Sequence, residues 1–316
     1  MTPGVAVAAS GGRDSTALLH ATVRAARPLG LKVWAFHVHH GLSRHADAWA
    51  AHVRAQCRRW STAAAPVGFD MVRLQGRPQA GESVEAWARR GRYQALADMA
   101  QHHGVGAILL AHHRRDQAET VLLQGLRGGG PAGAAAMPAQ ALRSGLTWLR
   151  PWLERDASEV EAYVHRWRLS HIEDDSNADP RYARNRVRHQ VWPALVEAFP
   201  HAGQALAASA RRMAEASACL QELAEADLAA CQAPEGGLST EALRHLSRDR
   251  RCNLLRHWLG LVQTAPVPDT LVRRLAEEAV TRRGGLRWPA PQGEVRLEKG
   301  RLRHVGIPAL DVTSPG

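Results

Sequence analysis

In the first half of the chain, short apolar runs repeatedly give way to turn residues and then to a helical pattern. Residues 5 to 9 (VAVAA) lead through Ser-Gly-Gly-Arg-Asp-Ser into STALLHATVRAA. Residues 33 to 40 (VWAFHVHH) precede a helical pattern over 46 to 60, and residues 107 to 113 (AILLAHH) precede DQAETVLLQGL. Short apolar runs bounded by breakers read as strands, and longer 3.6-period segments as helices. Successive strands joined through helices run parallel, with the helices covering the sheet faces. The expected fold is therefore α/β, a doubly wound parallel sheet of the Rossmann-like kind.

After residue 200 the strand signal fades. Helical patterns follow one another (AGQALAASARRMAEASACLQELAEADLAACQ, STEALRHLSRDRRCNLLRHWLGLV, PDTLVRRLAEEAV), separated by the breakers APEGG and TAPVP. The end, LRWPAPQGEVRLEKGRLRHV, reads as a short β-ribbon. Two domains are expected in the 316 residues, 1–200 catalytic and 201–316 smaller and mainly helical. No internal repeat is visible, and the Gly/Ala-rich stretch at 128–139 reads as a loop.

Lysine and arginine outnumber acidic residues 41 to 30, an excess that suggests a polyanionic partner such as nucleic acid. Only Lys32 and Lys299 are lysines, so phosphate contacts fall to arginine. The four cysteines, Cys57, Cys219, Cys231 and Cys252, are scattered, which argues against a zinc ribbon, an iron–sulfur site or a dithiol. No apolar stretch is long enough for a membrane span, and the first residues lack a basic secretory segment, so a cytoplasmic protein is expected.

Ser10, Gly11, Gly12, Arg13, Asp14 and Ser15 stand between the first strand and first helix, where open α/β sheets bind ligands. Glycines let the backbone approach an anion, and a helix N-terminus offers free N–H groups to it. No Walker lysine and no G-x-G-x-x-G is present. The plain alternative is a capped glycine turn, and six residues alone do not decide between them.

With its flanking strand and helix, the loop resembles the SGGxDS pyrophosphatase loop (PP-loop) of N-type ATP pyrophosphatases. Four further motifs, HVHHGLS at 37–43, EAWARRGRY at 85–93, HHRRDQAET at 112–120 and DDSNADPRYARNRVR at 174–188, resemble those of tRNA(Ile)-lysidine synthetases in order and spacing. LSRDRRCNLLRHWLG at 246–260 is similar to that family's substrate domain. The resemblance implies ATP and Mg²⁺ as cofactors, and the CAU-anticodon isoleucine tRNA and free lysine as partners. The implied reaction adenylates the wobble cytidine at its 2-oxygen. Lysine then displaces AMP to form lysidine.

Asp116 and Glu119, three apart at a helix start, share one side of that helix. They are candidates for Mg²⁺ or for the amines of lysine, and Asp14 is an alternative Mg²⁺ ligand. Isolated pairs of this kind are more often helix N-terminal acids favoured by the macrodipole. The family commonly has two adjacent aspartates here, whereas this chain has Arg115-Asp116, and Arg115 is expected to face solvent or RNA. Arg89 is a candidate for a phosphate or carboxylate contact, against a simple helix pair with Glu85. Arg184 and Arg188 match the family's RNxxR pattern and are candidates for ATP or tRNA phosphates, while Arg181 and Arg186 read as solvated. His113 is assigned by its family position to nucleotide, lysine or target base. A zinc reading of His37, His39, His40, His112 and His113 is disfavoured for want of cysteine or carboxylate ligands at suitable spacing.

Two alternatives remain open at this point. A related PP-loop tRNA thiolase uses the same loop but usually carries paired cysteines. A non-catalytic tRNA-binding homologue would keep the fold without turnover.

Overall fold

The computed structural model describes residues 4–39, 46–76, 78, 84–173, 181–282 and 285–306. Parts of two motifs, residues 40–43 with His40 and residues 174–180 with Asn177, lie outside the described residues. The chain forms two compact units, Met1–Ala214 and Glu215–Gly316.

The first unit is built on strands β1 (Gly4–Ala8), β2 (Lys32–His39), β3 (Val67–Arg73), β4 (Ala107–Leu109), β5 (Gln140–Arg143) and β6 (Leu146–Leu149), in the sheet order β3-β2-β1-β4-β6-β5. The helices α1 (Arg13–Ala26), α2 (Ala46–Trp60), α3 (Val84–His102) and α4 (Arg114–Leu126) alternate with the strands. Side chains along a strand point alternately to opposite faces, and both faces here are apolar. Ala6, Phe36 and Ile108 pack with Leu96 and Met99 of α3 on one face. Val7, Val33 and Ala35 pack with Leu18, Leu19 and Val53 of α1 and α2 on the other. Each fully buried aliphatic side chain contributes about 1.5–3 kcal/mol. Burial on both faces explains why the strands read as continuous apolar runs.

The order β3-β2-β1 grows in one direction from β1, and β4 returns on its other side. This reversal opens a crevice beyond the carboxyl ends of β1 and β4, the place where such sheets take ligands. The sheet is parallel except at its edge, where β5 runs antiparallel to β6. Ser144 and Gly145, both at positive φ (52° and 74°), make the two-residue turn joining them. That hairpin was not foreseen.

Residues 128–139 are also more ordered than a plain loop. They include α5 (Pro131–Ala134), and the Gln117 side chain brackets Met137, donating to its carbonyl at 2.9 Å and accepting from its N–H at 3.0 Å. Beyond α6 (Ala157–Trp167), the helical run α7 (Ala183–Arg186), a π-helical turn (Val187–Val191) and α8 (Trp192–Ala198) lead to the long helix α9 (Ala202–Cys231).

The division between units falls inside α9, not at residue 200, because the first turns of this helix pack in unit 1. Gly203 lies against the Trp192 indole, which a Cβ there would touch at 3.4 Å, an ordinary van der Waals contact. In the second unit, α10 (Thr240–Arg244), α11 (Arg248–Val262) and α12 (Asp269–Thr281) share a core with a four-stranded antiparallel sheet. Its strands are β7 (Leu238–Ser239), β8 (Leu286–Ala290), β9 (Gly293–Glu298) and β10 (Arg301–Gly306), in the order β7-β10-β9-β8. The expected ribbon is thus a full core layer. Trp288, Val295 and Leu302 pack on Leu254, Leu255 and Leu275, and the Trp288 indole N–H donates to Glu278 at 2.8 Å.

Candidate active site

The loop at residues 10–15 leaves the end of β1 and enters α1 with no side-chain cap, so the first N–H groups of this helix have no intrahelical acceptor. Gly11 sits at φ +90°, and a Cβ there would come within 2.8 Å of the Ile172 methyl, so this turn admits glycine only. Ile172 N–H donates to the Gly11 carbonyl at 2.9 Å and secures the loop from behind. Ser10 and Ser15 hydroxyls meet at 2.9 Å, Ser10 Oγ accepts from Gly12 N–H at 3.3 Å, and Ser15 Oγ donates to Gly12 O at 3.1 Å. The result is a pre-formed turn presenting backbone N–H groups and two hydroxyls.

His113 caps the start of α4 on the facing side of the crevice. Its backbone N–H donates to Asp116 Oδ2 at 2.9 Å. Its Nε2 lies 3.4 Å from Asp116 Oδ2 and 3.6 Å from Asp14 Oδ2, so one buried imidazole stands between the loop and α4. Burial would raise the Asp14 carboxyl, but His113 and then Arg13, whose Nε donates to Asp14 at 3.0 Å, outweigh it and hold it at about 2. Asp116 is likewise lowered; burial opposes the shift, and His113 and Arg184 dominate.

Asp116 and Glu119 do project together, but their partners are arginines. Glu119 is fully buried, and both its oxygens are taken: Oε2 by Arg184 Nε at 3.1 Å and Arg188 Nη2 at 3.1 Å, Oε1 by Arg188 Nε at 3.0 Å. Asp116 Oδ1 accepts from Arg184 Nη2 at 2.7 Å and Arg188 Nη2 at 3.2 Å. Arg115 does not face open solvent. Its Nε lies 3.2 Å from Glu119 Oε1, its Nη2 donates to the Arg188 carbonyl at 3.1 Å, and its guanidinium sits 5.4 Å from the Trp192 ring centre. Arg184 and Arg188, expected on phosphates, are therefore first of all partners of the two carboxylates. Their Nη1 groups make no hydrogen bond among the described residues.

Arg89 is exposed on α3, with its guanidinium 5.3 Å from the Tyr93 ring centre; the Glu85 side chain lies outside the described residues. Two groups that sequence reasoning passed over stand nearby. Arg150, after β6, donates through Nε to His112 Nδ1 at 3.2 Å. Burial, with Arg184, Arg150 and Arg89 adding to it against Asp116, depresses the His112 ring to about 3. The only trace in the sequence was an arginine directly after the apolar run LTWL. His37, from the motif read as packing, donates from Nδ1 to the Ala9 carbonyl at 2.8 Å beside the loop.

No three His, Cys, Asp or Glu side chains gather into a metal cage among the described residues. The acids that reach the crevice, Asp14 and Asp116, fit an ion brought in on phosphates, which needs only one or two protein carboxylates.

A PP-loop domain model matches residues 2–195, and a TilS substrate binding domain model matches residues 238–303. A tRNA(Ile)-lysidine synthase from Bordetella pertussis is 44% identical over 310 residues, covering 94% of each chain. The chain belongs to the tRNA(Ile)-lysidine synthase family. A synthase from Bordetella bronchiseptica is also 44% identical, over 94% of this chain and 88% of its own length. One from Chromobacterium violaceum is 45% identical over 87% of this chain but 62% of its own length. Among solved structures, a U34-tRNA thiolase from Methanococcus maripaludis, with its [4Fe-4S] cluster, superposes with a TM-score of 0.57 at 14% identity, covering 67% of this chain and 72% of its own. That likeness is one of fold. Iron–sulfur clusters are held by cysteine thiolates, and the first unit of this synthase-family chain has a single cysteine, Cys57, whose buried thiol is pushed up to about 12.

Proposed function

We propose that the chain ligates lysine to C2 of the wobble cytidine in the CAU-anticodon isoleucine tRNA, spending ATP to AMP and pyrophosphate. What carries the reading is the joining of the PP-loop to the acidic start of α4 through His113 at the switch point of the sheet. ATP belongs with its phosphates on the loop N–H groups and the Ser10 and Ser15 hydroxyls. When Mg²⁺ is bound it neutralises phosphate charge, and Asp14, with Asp116 beside it, would hold it.

In the first step the cytosine 2-oxygen attacks the α-phosphorus and pyrophosphate leaves in line. Little covalent work falls to the protein, whose part is positioning and stabilising charge. Loop N–H groups and the Nη1 groups of Arg184 and Arg188, which make no hydrogen bond among the described residues, are the donors for the developing charge. In the second step the lysine ε-amine attacks C2 and AMP departs. The amine must arrive as a cation and lose protons, which favours carboxylates at its entry. Glu119, fully buried with both oxygens on arginine, acts through Arg184 and Arg188, so Asp116 and Asp14 are the acids an amine reaches. Arg89, exposed at the rim, suits the lysine α-carboxylate or a phosphate. The TilS substrate binding domain, which lies within the second unit, is the place for tRNA contact outside the reacting base. Such a protein works in the cytoplasm, and no helix among the described residues is long and apolar enough to cross a membrane.

The test is incubation with ATP, radiolabelled lysine and bulk tRNA. Label in the isoleucine tRNA at the wobble position, with stoichiometric AMP, is expected. AMP without label in RNA would turn the reading towards another PP-loop reaction, and tRNA binding without AMP towards a non-catalytic homologue.

A further inference from the structure

His112 sits at the carboxyl end of β4, directly before the α4 cap, and its ring feels Asp116, Arg184, Arg150 and Arg89 together. Arg150 aims a guanidinium N–H at its Nδ1 from 3.2 Å. A guanidinium only donates. Nδ1 must therefore keep its lone pair, which rules out both the Nδ1-protonated tautomer and the imidazolium while this bond stands. The remaining form carries its proton on Nε2.

Arg150 is itself held so that it cannot turn away. It is 5% exposed, its Nη1 donates to the Pro138 carbonyl at 2.8 Å, its backbone N–H donates to Ala139 O at 2.8 Å, and its Nη2 reaches Tyr93 Oη at 3.5 Å. With His112, its partners come from three segments: the end of β4, the stretch after α5, and α3. Each of these acceptors is neutral, in contrast to the carboxylates that face Arg184 and Arg188. A buried guanidinium without a carboxylate is a costly way to tie three segments together. Fixing one nitrogen of a histidine, and thereby the proton on the other, is a task that needs this group and justifies that cost.

We propose that Arg150 is a positioning residue that locks His112 as the neutral Nε2–H tautomer, so that the ring offers the reacting site a hydrogen-bond donor and never a base. The inference rests on the ligase reading for what the donor meets, an oxygen of the bound substrate that gains negative charge. The tautomer itself does not depend on that reading. Burial first, and then Arg184, Arg150 and Arg89, keep the ring from taking a second proton, with Asp116 as the opposing charge.

Two measurements on the full chain test it. The ¹⁵N-labelled wild-type protein, with the His112 signals assigned by comparison with His112→Gln, should show protonated Nε2 and bare Nδ1 at neutral pH. A ring protonated at Nδ1 overturns the proposal. Arg150→Lys and Arg150→Gln should lower single-turnover lysine transfer to the CAU-anticodon isoleucine tRNA by roughly tenfold or more, the scale seen when a partner that orients a functional histidine is lost. The KM for ATP should hardly move, and the same substitutions in a His112→Gln background should cost nothing further. An equal loss in both backgrounds means that Arg150 only braces the fold, and wild-type transfer in either Arg150 variant also overturns the idea. Failure of the wild-type chain to transfer lysine at all would instead sink the ligase reading and leave the tautomer measurement standing.

Discussion

Replacing Glu119 with glutamine removes one charge from the centre of the arginine network while leaving its volume almost unchanged. The carboxylate is fully buried and faces Arg184, Arg188 and Arg115 at 3.0–3.2 Å. A glutamine amide turns an N–H₂ donor towards guanidinium donors, so at least one of those contacts becomes donor against donor. Removing one partner of a buried ion pair costs about 3–5 kcal/mol, because the charges left behind stay desolvated. The arginines here retain some access to water, which puts the expected loss near the lower end, about 3 kcal/mol. For a unit of 214 residues each kcal/mol moves Tm by roughly 2–4 °C, so Glu119→Gln should melt about 6–12 °C lower. Calorimetry or circular dichroism at neutral pH checks this, with Glu119→Ala as a companion expected to fall at least as far. A Glu119→Gln midpoint within about 1 °C of wild type would refute the reasoning. It would mean that the network is surface-like in energy and that Glu119 is free to serve a ligand directly.

Three further outcomes follow from the same geometry. Asp14→Ala and Ser10→Ala should each reduce AMP formation by on the order of 10²-fold or more, the usual cost of one lost donor or charge at transferring phosphate; near-wild-type rates in a pyrophosphate-release assay would remove the loop from ATP chemistry. Gly11→Ala should destabilise by at least about 1–2 kcal/mol from its positive φ alone, with added contact at Ile172; an unchanged urea midpoint would contradict the turn. Asp14 is held at about 2 against an ordinary value of 3.8, so its contribution is fully present above pH 4 and is lost as pH falls towards 2. Allowing for its partial exposure this amounts to about 1–2 kcal/mol, and the acid limb of the stability profile should flatten by that amount in Asp14→Asn.

Much of the catalytic unit was legible from residue order. Period and punctuation marked β1, β2, β4 and the helices after them, because strands buried on both faces must be apolar throughout and turns need glycine. The loop at residues 10–15 announced itself for the same reason, since Gly11 occupies a backbone conformation that other residues resist. Less was legible where partners are distant in sequence. The β5–β6 hairpin has short strands with little alternation, and the strands of the second unit became a core layer only by packing on α11 and α12.

Local spacing placed Asp116 and Glu119 on one side of a helix. Nothing local could show that Arg184 and Arg188, some seventy residues on, fold back to claim their oxygens. In the second unit Arg248 pairs with Glu277 and Arg250 with Asp227 over 29 and 23 positions, whereas Arg273 pairs with Asp269 and Arg274 with Glu278 at helical i,i+4 spacing. Arg150 and His112 show the limit most clearly, being ordinary residues 38 positions apart that tertiary contact turns into a donor and its fixed acceptor. The sequence by itself determined periodicity, turn chemistry and the loop, because those depend on neighbours along the chain. Which charges remain free, which are paired, and where each proton sits were decided only by the tertiary structure, because they depend on burial and on groups the chain brings together from afar.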